Sequence, residues 1–280
     1  MSIKITTDST ADLTPQQLER YQIEVLPLTI HLNDKGYKDG LEISPADIFR
    51  NVDAGGELPK TSAVSVLEFQ EFFQRLSPLH EAVVNVDIGS KMSASYQNAC
   101  IAAQDFSNVY VIDSGSLSAG QGLVAVAGAE AAESGMDPKA LVDYMTAYAA
   151  KVETTFTLDR LDYLCKGGRC SAAAALGANL LRLKPCIEAK DGELTVGKKY
   201  RGSFTKALCD YARDRIIDRD DLDLRHCFVV HPDAPREAVD AVLELIPTLA
   251  PFQEVVEIRC GCTVSSHCGP ATVGVMFARK

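Results

Sequence analysis

The chain has 280 residues, 46% of them hydrophobic, and a formal net charge of -10. That length admits one large domain or two ordinary ones with a core that needs no staples, and the acidic balance excludes a nucleic-acid-binding surface, which clusters Lys and Arg. No run of about 18 apolar residues occurs, and the opening MSIKITTDST lacks an apolar signal region, so a cytoplasmic protein without a membrane span is expected.

Ile3–Thr6 reads as a strand. Thr14-Pro15-Gln16-Gln17 then opens a helix, with Thr14 as N-cap and Gln17 closing a capping box. Ile23–His31 is a strand candidate, and Ser44-Pro45 starts a helix to about Asn51. Ser65 and Glu68 form a second capping box, stapled by Val64 and Phe69. Ala82–Ile88 is a strand, with a helix from Ser93 onward. Val109–Ile112 is a strand, Gln121–Ser134 an Ala-rich helix stopped by Gly135, and Asp137-Pro138 caps a helix to about Lys151. Such alternation predicts a parallel sheet covered by helices.

The second half changes character. Thr154–Leu158 is β-rich, and Ala172–Leu181 reads as a small-residue helix. Lys184–Ala189 and Leu194–Lys199 flank Asp191-Gly192, a hairpin signal. Helices follow near 203–217 and 234–247, with strands at Cys227–His231, Val255–Arg259 and Val273–Phe277. The expectation is an α/β fold of two α/β domains: 1–150 with a mainly parallel sheet, and 151–280 with a mixed one.

Several stretches carry chemistry. Ser90, Ser93 and Ser95 crowd between a strand and a helix in IGSKMSASYQNA (88–99). A catalytic serine needs a base within reach, and Gly89-Ser90-Lys91-Met92-Ser93 lacks the G-x-S-x-G spacing. Ser203-Phe204-Thr205-Lys206 matches S-x-x-K, and Lys60-Thr61-Ser62 loosely echoes K-T-G. Their order is reversed relative to penicillin-binding enzymes and no S-D-N follows, so helix capping is favoured for these serines. Cys260-Gly261-Cys262 with His267-Cys268 offers soft metal ligands, but zinc pairs are usually spaced C-x₂₋₄-C. Nine cysteines, odd in number and irregular in spacing, read as free thiols; a C-x-C pair on a strand would put two on one face. No metal is expected. Lys166-Gly167-Gly168-Arg169 is neither a P-loop nor G-x-G-x-x-G; it suits a helix C-cap, or an anion approached by backbone and guanidinium together. Lys198-Lys199-Tyr200-Arg201 is the densest basic run, suited to a protected edge strand or an acidic partner. His267 follows a strand in a Gly-Pro loop, and Thr7-Asp8-Ser9-Thr10 ends the first strand; α/β sheets place their sites at such ends.

Taken in order, ITTDSTADL (5–13), LPLTI (26–30), YKDGLEI (37–43), LPKTSAVSVLEF (58–69), IGSKMSASYQNA, VIDSGSLSAGQG (111–122), LDYLCKGGRC (161–170), LKPCIEAKDG (183–192) and HCGPATVG (267–274) resemble the DegV family of bacterial lipid-binding proteins. The resemblance implies one fatty acid, such as palmitate, stearate or oleate, buried between the two domains, and no cofactor. It implies no catalysis by this chain alone, but a role as the fatty-acid-binding subunit that presents an acyl carboxylate to the ATP-binding fatty acid kinase subunit for acyl-phosphate formation in phospholipid metabolism. On the family's motifs, Thr61 and Ser93 hold the carboxylate, with His267 and Arg169 near the head group. Ser62, Ser90, Ser95, Asp8 and Ser9 lie in the supporting loops, and Lys198, Lys199 and Arg201 fall where a kinase would dock. The tail lining would draw on Ala172–Ala175, Leu176, Leu180, Leu181 and the Phe69, Phe72, Phe73 helix. A monomer touching membranes transiently at most is expected. Gly89, Ala94, Ser95 and Ala271 depart from the usual motif residues. A lipid-acting serine hydrolase or acyltransferase, or a lipid carrier without a kinase, are the alternatives.

Overall fold

The computed structural model describes residues 2–170 and 183–280. Its first sheet is parallel, in the order β2-β1-β6-β7, from β1 (Ile3–Asp8), β2 (Glu24–Leu26), β6 (Ala82–Asp87) and β7 (Val109–Asp113). β6 is buried along its whole length, as a strand covered on both faces must be. The helices around this sheet are α1 (Pro15–Arg20), α3 (Val66–Leu76), α4 (Ser95–Ala103), α5 (Ala119–Glu133) and α6 (Pro138–Ala149). Both capping boxes read from the sequence are made: Thr14 with Gln17, and Ser65 with Glu68.

The run Ile23–His31 does not form one strand. Pro27 has no N–H to give a ladder, and the next amide, Leu28 N–H, donates to Ser9 Oγ at 3.0 Å. The chain turns there into a separate antiparallel sheet, order β4-β3-β5, of β3 (Thr29–Leu32), β4 (Lys35–Lys38) and β5 (Lys60–Ser62). α2 (Pro45–Asp53) lies between β4 and β5 in the chain. Ser93 also differs from expectation: α4 begins at Ser95 with Ala94 as its N-cap residue, and Ser93, one residue before the cap, accepts the Ser95 N–H at 3.2 Å.

The second half forms a mixed six-stranded sheet, order β10-β9-β8-β13-β11-β12. Its strands are β8 (Val152–Leu158), β9 (Leu183–Lys190), β10 (Glu193–Arg201), β11 (Leu222–His231), β12 (Glu254–Arg259) and β13 (Thr272–Arg279). Only β11–β12 is a parallel pair. The Asp191-Gly192 turn has positive φ at both residues, 52° and 77°, the backbone a type I′ hairpin needs. The helices are α7 (Asp162–Gly167), α8 (Phe204–Ile216), α9 (Arg236–Leu249) and α10 (Cys262–Cys268). The helix expected over Ala172–Leu181, with the tail-lining residues proposed on it, lies outside the described residues.

α5 joins the two halves. One buried cluster runs from Val84 and Val86 of β6, through Leu123, Val124 and Ala127 of α5, to Phe228, Val230 and Met276 beneath the six-stranded sheet. Within the first half, α5 packs so closely that a Cβ on Gly122 would come within 2.7 Å of the Ala11 carbonyl oxygen. No helix among the described residues is long and apolar enough to cross a membrane. Cys100, Cys165, Cys186, Cys209, Cys227, Cys260, Cys262 and Cys268 are free thiols.

Candidate functional site

The alternation of a strand sends neighbouring side chains to opposite faces. On β5, Thr61 turns inward and Ser62 turns the other way, where its Oγ lies 2.8 Å from His31 Nε2. Thr61 Oγ1 meets His267 Nε2 at 2.9 Å. His267 is not in a loop, as its Gly-Pro neighbours suggested, but in the last turn of α10. Cys260 and Cys262 likewise share no strand: Cys260 follows β12, and Cys262 is the first residue of α10. A seven-residue helix forms there because acids from elsewhere in the chain cap it. Gly261 N–H donates to Asp12 Oδ1 at 2.7 Å, and the Cys262 and Thr263 N–H groups donate to Asp39. Among the described residues, no group of three or more His, Cys, Asp or Glu is arranged to hold a metal.

Thr61, Ser93, Arg169 and His267 all line one cavity of about 280 Å³. Thr10 and Thr263 join them, and most of the remaining wall is apolar, with Leu28, Ile88, Leu117, Phe156, Leu164 and Leu194. The lining therefore comes from both halves of the chain. Burial, with the Arg169 cation as a second cause, pushes His267 down to about 4, so its imidazole is neutral at pH 7. Its Nδ1 is buried without a hydrogen-bond partner among the described residues, and a Cβ on Gly167 would lie 2.4 Å from it. The glycine pair also ends α7: Gly168 takes the left-handed C-cap conformation at φ 71°. Arg169 donates from Nη1 to the Gly167 carbonyl at 2.7 Å, which holds the exposed guanidinium beside the cavity.

The two hydroxyl-bearing segments are stitched together. Ser95 is fully buried; its Oγ accepts Val64 N–H at 3.3 Å and lies 3.1 Å from Ser93 Oγ. Asn98 Nδ2 donates to the Val64 carbonyl at 2.7 Å. The position of Ser93 relative to Thr61 is thus set by the backbone just beyond β5.

The other sequence-derived residues lie outside the cavity wall. Ser90 is exposed, donates its N–H to Asp113 at 3.0 Å and borders a separate polar groove of about 570 Å³. Asp8 and Ser9 sit behind the wall. Asp8 accepts the N–H groups of Thr10 and Ile88, and Ser9 Oγ donates to Asp39 at 3.1 Å. Burial raises Asp8, and burial with the neighbouring Asp8 raises Asp87 further. Phe69, Phe72 and Phe73 pack with Val83, Ala99 and Ala102 in an interior cluster rather than against the cavity. Lys198, Lys199 and Arg201 lie on β10, an edge strand, with Lys198 paired to Asp214. Gly89 has a packing reason: its N–H donates to the Ser116 carbonyl at 2.7 Å, and a Cβ there would come within 3.1 Å of the 115–116 backbone. Sequence reasoning passed over Thr263 and Asp39. The signal for Asp39 was its place in YKDGLEI, where an acid beside a glycine reads as turn chemistry.

Comparison with known proteins covers the whole chain. A curated DegV domain-containing protein of Caldanaerobacter subterraneus is 30% identical over 282 residues, 99% of each chain. A solved structure of a DegV family protein from Thermus thermophilus, described by its fatty acid binding, superposes with a TM-score of 0.90 at 28% identity over 100% of both chains. A stearic acid-binding protein from Eubacterium ventriosum superposes at 0.87 with 26% identity, over 100% of this chain and 99% of that one. The sequence profile described as "Uncharacterised protein, DegV family" matches residues 2–280. The chain belongs to the DegV family.

Proposed function

We propose that this protein binds one long-chain fatty acid in the cavity between its two halves, and that a separate ATP-dependent kinase phosphorylates the carboxylate it presents. The observation that carries the reading is the cavity itself: Thr61, Ser93, His267 and Arg169 share an otherwise largely apolar space. The fatty-acid-binding structures superposing over the full chain support it.

A tail of roughly 15 methylenes offers about 12 kcal/mol of gross burial at about 0.8 kcal/mol per CH₂, and ordering and association costs remove much of that. The carboxylate is the selective part, because an anion leaving water must find donors. A neutral His267 donating from Nε2 to Thr61 Oγ1 leaves the single Thr61 hydroxyl proton to point into the cavity. Ser93 supplies a second O–H, and Arg169 a cation. None of these roles needs a general base beside the serine. The kinase partnership rests on the family resemblance; in it the chain is a substrate-binding subunit in the cytoplasm, acting as a monomer without catalysis of its own.

The hydrolase alternative finds less support. Ser203 caps α8, accepting the Lys206 N–H. Serine–histidine contacts occur at Ser62–His31 and Ser2–His80, yet neither histidine is held by a carboxylate among the described residues, as a triad base is. Denaturing extraction of freshly purified protein followed by mass spectrometry should release close to one equivalent of fatty acid. Lipid-free protein that also takes up neither oleate nor palmitate would overturn the proposal, and fluorophosphonate labelling of a serine would favour the hydrolase.

A further inference from the structure

α10 begins on Gly261, which has no side chain to cap its first turn. Its caps come from Asp12, which accepts the Gly261 N–H at 2.7 Å, and from Asp39, 223 residues before Cys262. Asp39 Oδ1 accepts the Cys262 N–H at 2.7 Å, and Oδ2 accepts the Thr263 N–H at 3.0 Å and the Thr263 hydroxyl at 2.6 Å. Ser9 Oγ donates to the same Oδ2 at 3.1 Å. The carboxylate is 3% exposed, so four donors meet one buried anion, a charge-assisted arrangement. Glycine at 261 lets the acids come this close: a Cβ there would stand 3.2 Å from both Asp12 Oδ1 and Asp39 Oδ1.

Asp39 is itself fixed. It follows β4 directly, and its N–H donates to the Leu28 carbonyl at 3.0 Å. β4 pairs with β3, and β3 pairs with β5, which carries Thr61. The other end of α10 carries His267, bonded to that same Thr61. Both ends of the helix are therefore tied to one three-stranded sheet, Asp39 at the start and Thr61 at the finish. A helix pinned at one end only could rock, and the cavity-facing Thr263 and His267 would move with it.

We propose that Asp39 is a positioning residue for the head-group site: its carboxylate seats α10 on the three-stranded sheet and so holds His267 within hydrogen-bond reach of Thr61. The proposal rests on the fatty-acid reading above. Asp39→Asn keeps the size but presents an amide donor, or a single carbonyl, to donors that the carboxylate satisfied together.

The test has two readouts. In lipid-free, ¹⁵N-histidine-labelled protein, with His267 assigned by a His267→Gln variant, Asp39→Asn should shift the His267 imidazole resonances toward those seen in Thr61→Ala. Affinity for labelled oleate should fall about tenfold in the otherwise wild-type chain and less than twofold when Thr61→Ala is already present. Unchanged imidazole resonances, or an equal fold-loss in both backgrounds, would overturn the proposal, since a general loss of stability acts in both alike. Should Asp39→Asn not fold, Gly261→Ala presses on the same carboxylates and should move the same resonances; no shift there also counts against it. If wild-type protein takes up no oleate, the fatty-acid reading fails, and the lipid-free spectrum still decides the role of Asp39.

Discussion

The Thr61–His267 cradle and the Lys198–Arg201 edge of the second sheet both carry polar side chains, under opposite rules. In the cradle, Ser95 is fully buried and His267 is tied to Thr61, with contacts of 2.9 to 3.3 Å. A buried polar group left without its partner costs about 1–3 kcal/mol, so packing leaves such side chains one arrangement. On β10, Lys198 is paired with Asp214 and lies 5.4 Å over the Tyr200 ring, while Lys199 and Arg201 face solvent. Water solvates Lys199 and Arg201, and no hydrogen bond or ion pair among the described residues fixes where they point. Under the proposed function, the contrast would separate two kinds of recognition: a cradle that reads the shape and charge of a small head group, and a basic edge that acts through its field on a larger partner.

The sharpest way to break that contrast is to remove the cradle's hydroxyls. A hydrogen bond to a charged group is worth about 1.5–3 kcal/mol, and about 1.4 kcal/mol is tenfold in affinity. Thr61→Ala combined with Ser93→Ala should therefore weaken fatty acid binding by about 100-fold or more, measured by displacement of a fluorescent fatty acid. An affinity within threefold of wild type would place the carboxylate elsewhere.

Asp12 sharpens the same side of the comparison through pH. Burial, with the nearby Asp39 and Asp8 charges adding to it, raises its carboxyl to about 8 while hydrogen bonds from Ser118 and Gly261 pull the other way. The folded state thus keeps a proton that the unfolded chain releases near the ordinary value of 3.8. Its stabilising contribution is complete below that value and is lost as pH rises through about 8. In Asp12→Asn the amide can donate to Ser118 Oγ and accept from Gly261 N–H at all pH values. Between about pH 5 and 8 the wild type should lose up to about 1.4 kcal/mol per pH unit relative to the variant. Chemical denaturation at three pH values checks the slope; parallel curves would mean Asp12 is ionised in the folded protein.

How much of this was legible in the sequence follows from where each constraint lives. Thr14, Ser65 and Asp191-Gly192 act on neighbours within four residues, so capping boxes and the hairpin turn could be read locally. The parallel and mixed sheets followed from the alternation of strands and helices and from the hairpin signal at Asp191-Gly192. The start of α10 could not be read this way, because its caps, Asp12 and Asp39, arrive from the far end of the chain. For the same reason His267 looked like a loop residue beside Gly269-Pro270. The break at Pro27 was visible in the residue itself, but its use, freeing β3 to join a separate sheet, depends on Ser9 capturing the Leu28 amide. The motif set brought Thr61, Ser93, Arg169 and His267 to notice; Thr263 carries no local mark, since its role comes from α10 being turned toward the cavity.

The basic edge offers the smallest effect on lipid and the clearest division of labour. Arg201 ends β10 and is absent from the cavity wall, so Arg201→Ala should change fatty acid affinity less than about twofold, in line with an exposed charge. The chain as a whole carries -10, which makes this run a local reversal of sign, and a rim charge acts chiefly on the rate of encounter with an oppositely charged partner. Phosphorylation of bound oleate, assayed with ATP and a fatty acid kinase subunit, should therefore slow in Arg201→Ala at low salt. The gap to wild type should narrow as added salt shortens the Debye length from about 10 Å at 0.1 M toward about 3 Å at 1 M. Loss of lipid affinity comparable to the hydroxyl double variant would merge the two regions into one site, and an unchanged rate at low salt would move the docking surface away from β10.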